Sequence, residues 1–104
     1  MSGLAQDHAN DGGERYSFRL YVTGASPGSS RAIAFIKEFF EQFLKGRYRL
    51  EVVDVYQQPA LAEEERILAT PTLVRTWPLP LRRVVGNLAD PHKLQTRLEL
   101  GISL

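Results

Sequence analysis

Side chains that commonly carry out covalent or metal chemistry are scarce in this sequence. Its 104 residues contain no cysteine, which excludes disulfides, thiolate metal sites and a thiol nucleophile. The two histidines, His8 and His92, have no second ligand at metal-binding spacing, so we expect no zinc or iron site. Asp54 ends a predicted strand, but no base or nucleophile accompanies it, and a carboxylate there also suits a turn. We therefore expect no catalytic residue, no metal and no other cofactor.

A segment of small residues, TGASPGSS at 23–30, leads into a predicted helix, as many phosphate-binding loops do. It lacks the lysine and the glycine spacing of the known nucleotide-binding motifs, so its serines are expected to cap the helix. In a thioredoxin-like domain the corresponding loop carries two cysteines opposite a cis-proline. Here the loop has Ala25 to Gly28, and Thr70-Pro71-Thr72 stands where that proline would be. Without sulfur, the proline can still fix a bend beside backbone that pairs with an extended partner, which indicates a recognition surface.

The composition is that of one globular domain at residues 15–104. The chain is 43% hydrophobic and 24% charged, and its net charge of +1 argues against nucleic-acid binding by phosphate neutralisation. No apolar run is long enough to span a bilayer and no secretory signal is visible, so the cytoplasm is the expected location. Residues 1–14 are polar and are predicted to form a flexible tail. They hold three acidic residues and no basic ones, which leaves residues 15–104 with 13 basic and 9 acidic residues.

The first half of the domain predicts a βαβ unit. Residues 16–22 and 48–55 are rich in β-branched and aromatic side chains, which favours strands. Between them a helix should begin at Ser26 and Pro27 and end at Gly46. Its apolar residues recur at helical spacing: Ile33, Ile36, Phe40 and Phe43. A right-handed crossover of this kind makes the two strands parallel.

The second half leaves alternatives open. Residues 59–68 suit a helix that starts at Pro59, yet residues 66–70 also suit the start of a strand. Short strands are predicted at 72–75 and 82–86, separated by a Trp-Pro-Leu-Pro segment that breaks regular structure.

Two incompatible patterns overlap at the C-terminal end of the chain. After Asp90 and Pro91, the leucines at 94 and 98 and Ile102 fall at helical spacing, which predicts a helix that ends near Leu100. Residues 94–104 also alternate strictly between apolar and polar, as a strand does. The sequence does not decide between them.

Several ordered motifs resemble the KaiB family of bacterial circadian-clock proteins. They are LYVTG at 20–24, VDV at 53–55 and, above all, LAEEERILATPTL at 61–73. The resemblance continues through PLP at 78–80, RR at 82–83 and GNLAD at 86–90, and covers about residues 16–100.

The KaiB resemblance implies a non-enzymatic regulator. Such a protein binds a KaiC-family ATPase, opposes phosphorylation stimulated by KaiA, and competes with a histidine kinase that has a KaiB-like domain. The resemblance also implies an α/β fold whose C-terminal half is metamorphic. The resting form is a homo-oligomer, a tetramer or a dimer, with the order βαββααβ, and the partner-bound form is thioredoxin-like, βαβαββα.

Two groups of site residues follow from the resemblance. Five arginines are expected to contact carboxylates of the ATPase: Arg31, Arg66, Arg75, Arg82 and Arg83. Six residues are expected to take part in the conformational switch, with proline isomerisation among its steps: Pro71, Pro78, Pro80, Gly86, Asn87 and Asp90.

Departures from the family pattern support two alternatives. Asn87 replaces an aspartate, and Glu51 occupies a position that commonly holds lysine. These changes suit a divergent paralogue that acts in stress response with a KaiC homologue. The other alternative is a thioredoxin-like protein-binding module, or a homo-oligomer, without a clock role.

Overall fold

The structure is a computed structural model that describes residues 15–104. The tail predicted at residues 1–14, which includes His8, lies outside the described residues. The described part contains β1 (Tyr16–Val22), α1 (Pro27–Phe43), β2 (Tyr48–Asp54), α2 (Pro59–Glu64), β3 (Thr72–Trp77), β4 (Arg82–Val85) and α3 (Pro91–Arg97). This βαβαββα order is the thioredoxin-like one of the two that the resemblance implied.

One four-stranded sheet, ordered β2-β1-β3-β4, organises the domain. β1 runs parallel to β2, which confirms the predicted βαβ unit, and β3 is antiparallel to both of its neighbours. Helix α1 starts where the sequence predicts, because the Ser26 hydroxyl accepts a hydrogen bond from the Ser29 N–H at 3.1 Å. Within residues 15–104, no helix combines the length and the apolar content that crossing a bilayer requires.

The main core lies between the sheet and the two helices α1 and α3. Its centre is the pair Phe18 and Phe40, whose ring centroids are 4.2 Å apart. A smaller core lies on the opposite face, where α2 and the following loop cover Tyr21, Val53 and Val74. Because α2 has only six residues, it covers only part of that face. The loop that follows α2 is therefore partly exposed, and Arg66 and Leu68 in this loop face the solvent.

Helix α2 ends at Glu64, so neither alternative for residues 66–70 is formed. Arg66 adopts a left-handed conformation with φ of 55°, which turns the chain out of the helix. The Arg83 guanidinium then donates to the carbonyl oxygens of Glu65 and Arg66 at 2.9 and 3.2 Å. These two bonds satisfy carbonyl groups that the helix end leaves without partners.

The C-terminal segment is a helix, and the strand alternative is wrong for this structure. The Asp90 carboxylate caps α3 by accepting from the Lys93 N–H at 3.2 Å. The helix stops at Arg97, earlier than the expected end near Leu100. The residues after it are nevertheless held in place, since Leu98 and Leu100 are buried and the Tyr16 hydroxyl accepts from the Gly101 N–H at 2.9 Å.

Candidate partner-binding surface

Hydroxyl groups occupy the region where a thioredoxin-like enzyme carries thiols. Ser29 donates from its hydroxyl to the Thr23 carbonyl oxygen at 3.1 Å, and the Thr23 and Thr70 hydroxyls contact each other. The Thr70-Pro71 peptide bond is cis, so Pro71 has the geometry that such domains place opposite their cysteines. The hydroxyls bind one another and the backbone, and none of them has an activating base beside it.

Asp54, which the sequence left open between a turn and catalysis, is a turn residue. Its Oδ1 accepts from the Gly24 N–H at 3.1 Å and from the Tyr56 N–H at 2.9 Å. The carboxylate therefore ties the end of β2 to the loop after β1. No cluster of three metal-ligating side chains is present within residues 15–104.

A groove beside α2 is the best candidate for binding a partner. It encloses about 470 Å³, and its walls include Val55, Ala62 and Ile67. Leu68 stands at its edge with 95% of its surface exposed, more than any other large apolar residue of the described chain. Arg66 and Glu63 supply opposite charges at the same groove. An apolar groove with a few polar groups at its edge suits an apolar side chain flanked by charged ones.

A second cavity, of about 240 Å³, gathers residues that the sequence assigned to separate roles. Arg31 from α1 lines it together with Pro71, Gly86 and Asn87. Gly86 has φ of 91°, a conformation that glycine adopts readily, and its N–H donates to the Pro71 carbonyl oxygen at 2.9 Å. The start of β3 and the end of β4 are thus joined at this cavity.

The other residues that are expected to take part in a conformational switch lie elsewhere. Pro78 and Pro80 form the turn between β3 and β4, where both prolines follow cis peptide bonds. Asp90 caps α3, as described above.

The five predicted contact arginines do not form one patch. Arg66 and Arg83 meet at the C-terminal end of α2, where Arg83 binds the Arg66 carbonyl oxygen. Arg82 forms an ion pair with Glu99 at 3.0 Å, and Arg31 lies at the second cavity.

Arg75 is not part of the surface, which corrects the expectation that it contacts a partner in this fold. The residue is only 4% exposed, and its guanidinium donates to the carbonyl oxygens of Leu98 at 2.8 Å and Pro80 at 2.9 Å. Its hydrogen-bond partners belong to the protein itself, because the side chain lies between the end of α3 and the β3–β4 turn. We assign it a structural role.

Sequence reasoning missed two features of this surface. Leu68 lies in the LAEEERILATPTL motif at 61–73, but an apolar residue in either a helix or a strand is expected to be buried, and only the irregular loop exposes it. The ion pair between Arg19 and Glu51, at 3.0 Å, was also missed. Its signal was present in the predicted parallel pairing, since β1 and β2 place these two residues opposite each other.

Comparisons with known proteins agree on one family and one fold. The sequence matches the KaiB domain over residues 19–100. It is 49% identical over 85 residues to the circadian clock oscillator protein KaiB of Prochlorococcus marinus subsp. pastoris, which covers 82% of this chain and 79% of the relative.

Solved structures give the same result for the fold. The N-terminal domain of SasA from Synechococcus elongatus matches with a TM-score of 0.70 and 25% identity, covering 84% of this chain and 86% of that domain. Mitochondrial thioredoxin 3 from Saccharomyces cerevisiae matches with a TM-score of 0.65 over 92% of this chain and 88% of its own. At 16% identity the latter likeness shows the fold alone.

Proposed function

Because the chain belongs to the KaiB family, we propose that it is a non-enzymatic, cytoplasmic clock-type regulator that binds a KaiC-family ATPase. By binding, it opposes phosphorylation that KaiA stimulates. The curated relatives of this chain are clock oscillator proteins. A histidine kinase with a KaiB-like domain is the expected competitor. The likeness to the SasA domain supports this, because two domains of the same fold can offer a similar surface to one partner.

The observation that carries the proposal is the exposed Leu68 at the groove beside α2. A leucine with 95% of its surface exposed contributes nothing to the core of this protein. Its burial against a partner would contribute about 2 kcal/mol to binding. Glu63 and Arg66 at the same groove can orient the partner and exclude wrong ones through charge.

Four surface arginines are further candidates for partner contact, of which Arg66 and Arg83 meet at the C-terminal end of α2. We propose that Arg31, Arg66, Arg82 and Arg83 pair with carboxylates of the ATPase. Arg82 and Arg83 already bind Glu99 and the backbone within the protein, so a partner would have to share or replace those bonds. Arg66 is the strongest candidate, because Arg83 binds its backbone carbonyl oxygen and leaves its guanidinium available for a partner.

A role in conformational switching is proposed for the six residues assigned to it. Pro71, Gly86 and Asn87 meet at one cavity between β3, β4 and α1, and Asp90 holds the start of α3. Pro78 and Pro80 shape the turn that joins β3 to β4. An arrangement in which β3 and β4 no longer pair would break the contact between Gly86 and Pro71, and one without α3 would lose the cap at Asp90.

The proposal is tested by binding the purified full chain to a KaiC-family ATPase with ATP, with ADP and without nucleotide. We expect a complex in the presence of nucleotide, and slower phosphorylation of the ATPase when KaiA is also present. Turnover of a substrate by the chain alone would contradict the proposal. So would failure to bind any ATPase of the family.

A second candidate is favoured by one observation. Glu51, at a position that commonly holds lysine in clock KaiB proteins, is exposed on the edge strand β2 and paired with Arg19. A carboxylate at this position reverses the charge that a lysine would give to the edge of the sheet. It favours a divergent paralogue that binds a different KaiC homologue in stress response. Binding to such a homologue that KaiA does not affect would support this candidate.

A further inference from the structure

The loop between α2 and β3 presents Leu68 to the solvent, yet the residues on both sides of Leu68 are held in place. Ahead of Leu68, the carbonyl oxygens of Glu65 and Arg66 accept hydrogen bonds from Arg83 at 2.9 and 3.2 Å. The side chain of Ile67 packs against the smaller core. The chain that leads to Leu68 is therefore fixed by contacts with β4 and with the sheet face.

A second set of contacts fixes the chain after Leu68. The Thr72 hydroxyl donates to the Ala69 carbonyl oxygen at 2.6 Å. A bond from a threonine side chain to a carbonyl three residues earlier fixes the backbone between the two residues. The Thr70 hydroxyl, within that span, contacts the Thr23 hydroxyl. Leu68 thus projects from a short loop whose two ends are both tied to the sheet.

Thr72 cannot touch a partner itself. It is the first residue of β3, only 1% of its surface is exposed, and its neighbours across the sheet are Tyr21 and Val85. Any effect of its hydroxyl on binding must therefore reach a partner through another residue. The carbonyl oxygen that this hydroxyl binds belongs to the residue next to Leu68.

We propose that Thr72 is a positioning residue for Leu68, because its hydroxyl orders the loop before a partner arrives. The inference rests on the proposed ATPase-binding surface and adds the residue that shapes it. Ordering a loop during binding costs free energy, since backbone and side-chain freedom is lost. A loop that is already ordered in the free protein avoids much of this cost, so the same apolar contact gives tighter binding.

Amide relaxation of the full chain, measured by NMR, tests the order of the loop without the ATPase. We expect order parameters of about 0.85 at Leu68 and Ala69, as in rigid backbone, and a fall toward about 0.6 in Thr72→Val. Valine keeps the shape of threonine and removes only the hydroxyl donor. A loop that is mobile in the wild type, or equally rigid in both proteins, would overturn the proposal.

Thr76→Val is the matched control. The Thr76 hydroxyl also donates to a backbone carbonyl oxygen, that of Ser17 at 3.2 Å, but Thr76 lies near the other end of β3. The same substitution there removes the same kind of bond and should leave the order parameter of Leu68 unchanged. Equal loss of order at Leu68 in the two valine variants would contradict a specific role of Thr72.

Titration of a KaiC-family ATPase with the full chain measures the consequence for binding. We expect Thr72→Val to weaken binding about fivefold, because the loop must then be ordered during binding, and Thr76→Val to leave it unchanged. Thr72→Ser keeps the hydroxyl and should bind like the wild type, although loss of a buried methyl group lowers the stability of the fold. If the serine variant binds as weakly as the valine variant, the role of Thr72 is only structural.

A double-mutant cycle tests whether the effect passes through Leu68. In a Leu68→Ser chain, Thr72→Val should change binding far less than in the wild type, because the side chain that the loop positions is gone. An equal effect in both backgrounds would contradict the proposal. If the wild type binds no ATPase of the family, the proposed function fails, whereas the relaxation measurement still decides whether Thr72 orders the loop.

Discussion

The Nη1 atom of Arg75 lies 2.8 Å from the carbonyl oxygen of Leu98, the residue that follows α3. The same guanidinium reaches Pro80 in the β3–β4 turn. One buried cation thus holds the end of the last helix against the sheet, without a carboxylate partner of its own. Arginine can do this because its planar group donates in several directions at once.

Replacing Arg75 should therefore lower the stability of the fold and should not remove a contact with a partner. We expect Arg75→Met to lower the free energy of unfolding by about 2 kcal/mol, because the buried carbonyl oxygen of Leu98 and the partly buried one of Pro80 lose their donor. Arg82→Met, which breaks only the partly exposed pair with Glu99, should cost about 0.5 kcal/mol. Urea unfolding of both variants measures the difference. Equal losses would show that the buried bonds of Arg75 are not what holds the C-terminal segment.

Arg66 allows stability and binding to be separated at one position. Its φ of 55° is costly for a residue with a side chain. We expect Arg66→Gly to raise the free energy of unfolding by about 0.5 kcal/mol, since relief of this cost exceeds the entropy that glycine adds to the unfolded chain. Arg66→Ala keeps the backbone cost and should not stabilise.

Both Arg66 variants lose the charge at the groove. If the proposed surface is correct, they should weaken ATPase binding to the same extent, as measured by titration of labelled protein. A variant that is more stable and still binds like the wild type would remove Arg66 from the surface.

The sequence predicted the first half of the fold because its signals do not compete. Ser26 and Pro27 start a helix, Gly46 lies just beyond its end, and the flanking strands have no alternative pattern. The C-terminal segment was ambiguous because Leu98 fits both the helical spacing and the strand-like alternation. It continues the helical stripe from Leu94, and it also begins the buried alternation that includes Leu100.

The candidate surface was harder to predict because exposure is a tertiary property. Arginine is mostly found at protein surfaces, so nothing local marks Arg75 as buried. Leucine is mostly buried, so nothing local marks Leu68 as exposed. Arg75 is buried because its guanidinium binds the carbonyl oxygen of Leu98, which is distant in the sequence. Leu68 is exposed because the chain turns out of α2 at Arg66, whose backbone is left-handed.

Tyr48 should give the protein an alkaline dependence of stability. Burial, together with the hydrogen bond that its hydroxyl donates to Glu41 at 2.7 Å, raises the pKa of Tyr48 to about 12. In the unfolded chain the group titrates near 10. Between these values the unfolded state releases its proton first, so the free energy of unfolding falls as the pH rises from about 10 to 12.

Tyr48→Phe removes this titration. We expect the variant to lose less stability than the wild type over the same pH interval, as followed by urea unfolding at each pH. Identical pH slopes for the two proteins would mean that Tyr48 does not titrate differently in the folded and unfolded states.

Leu68 provides the sharpest test of the proposed surface, because its contribution to folding and to binding should differ completely. At 95% exposure, Leu68→Ser removes no core contact, so the free energy of unfolding should change by less than about 0.5 kcal/mol. Binding to the ATPase should weaken by tenfold or more, since the serine cannot replace the apolar area buried in the complex. Leu79→Ser is the matched control: Leu79 is 63% exposed, and the length of β3 separates it from the groove. If Leu79→Ser weakens the complex as much as Leu68→Ser, the surface beside α2 is not the site of binding.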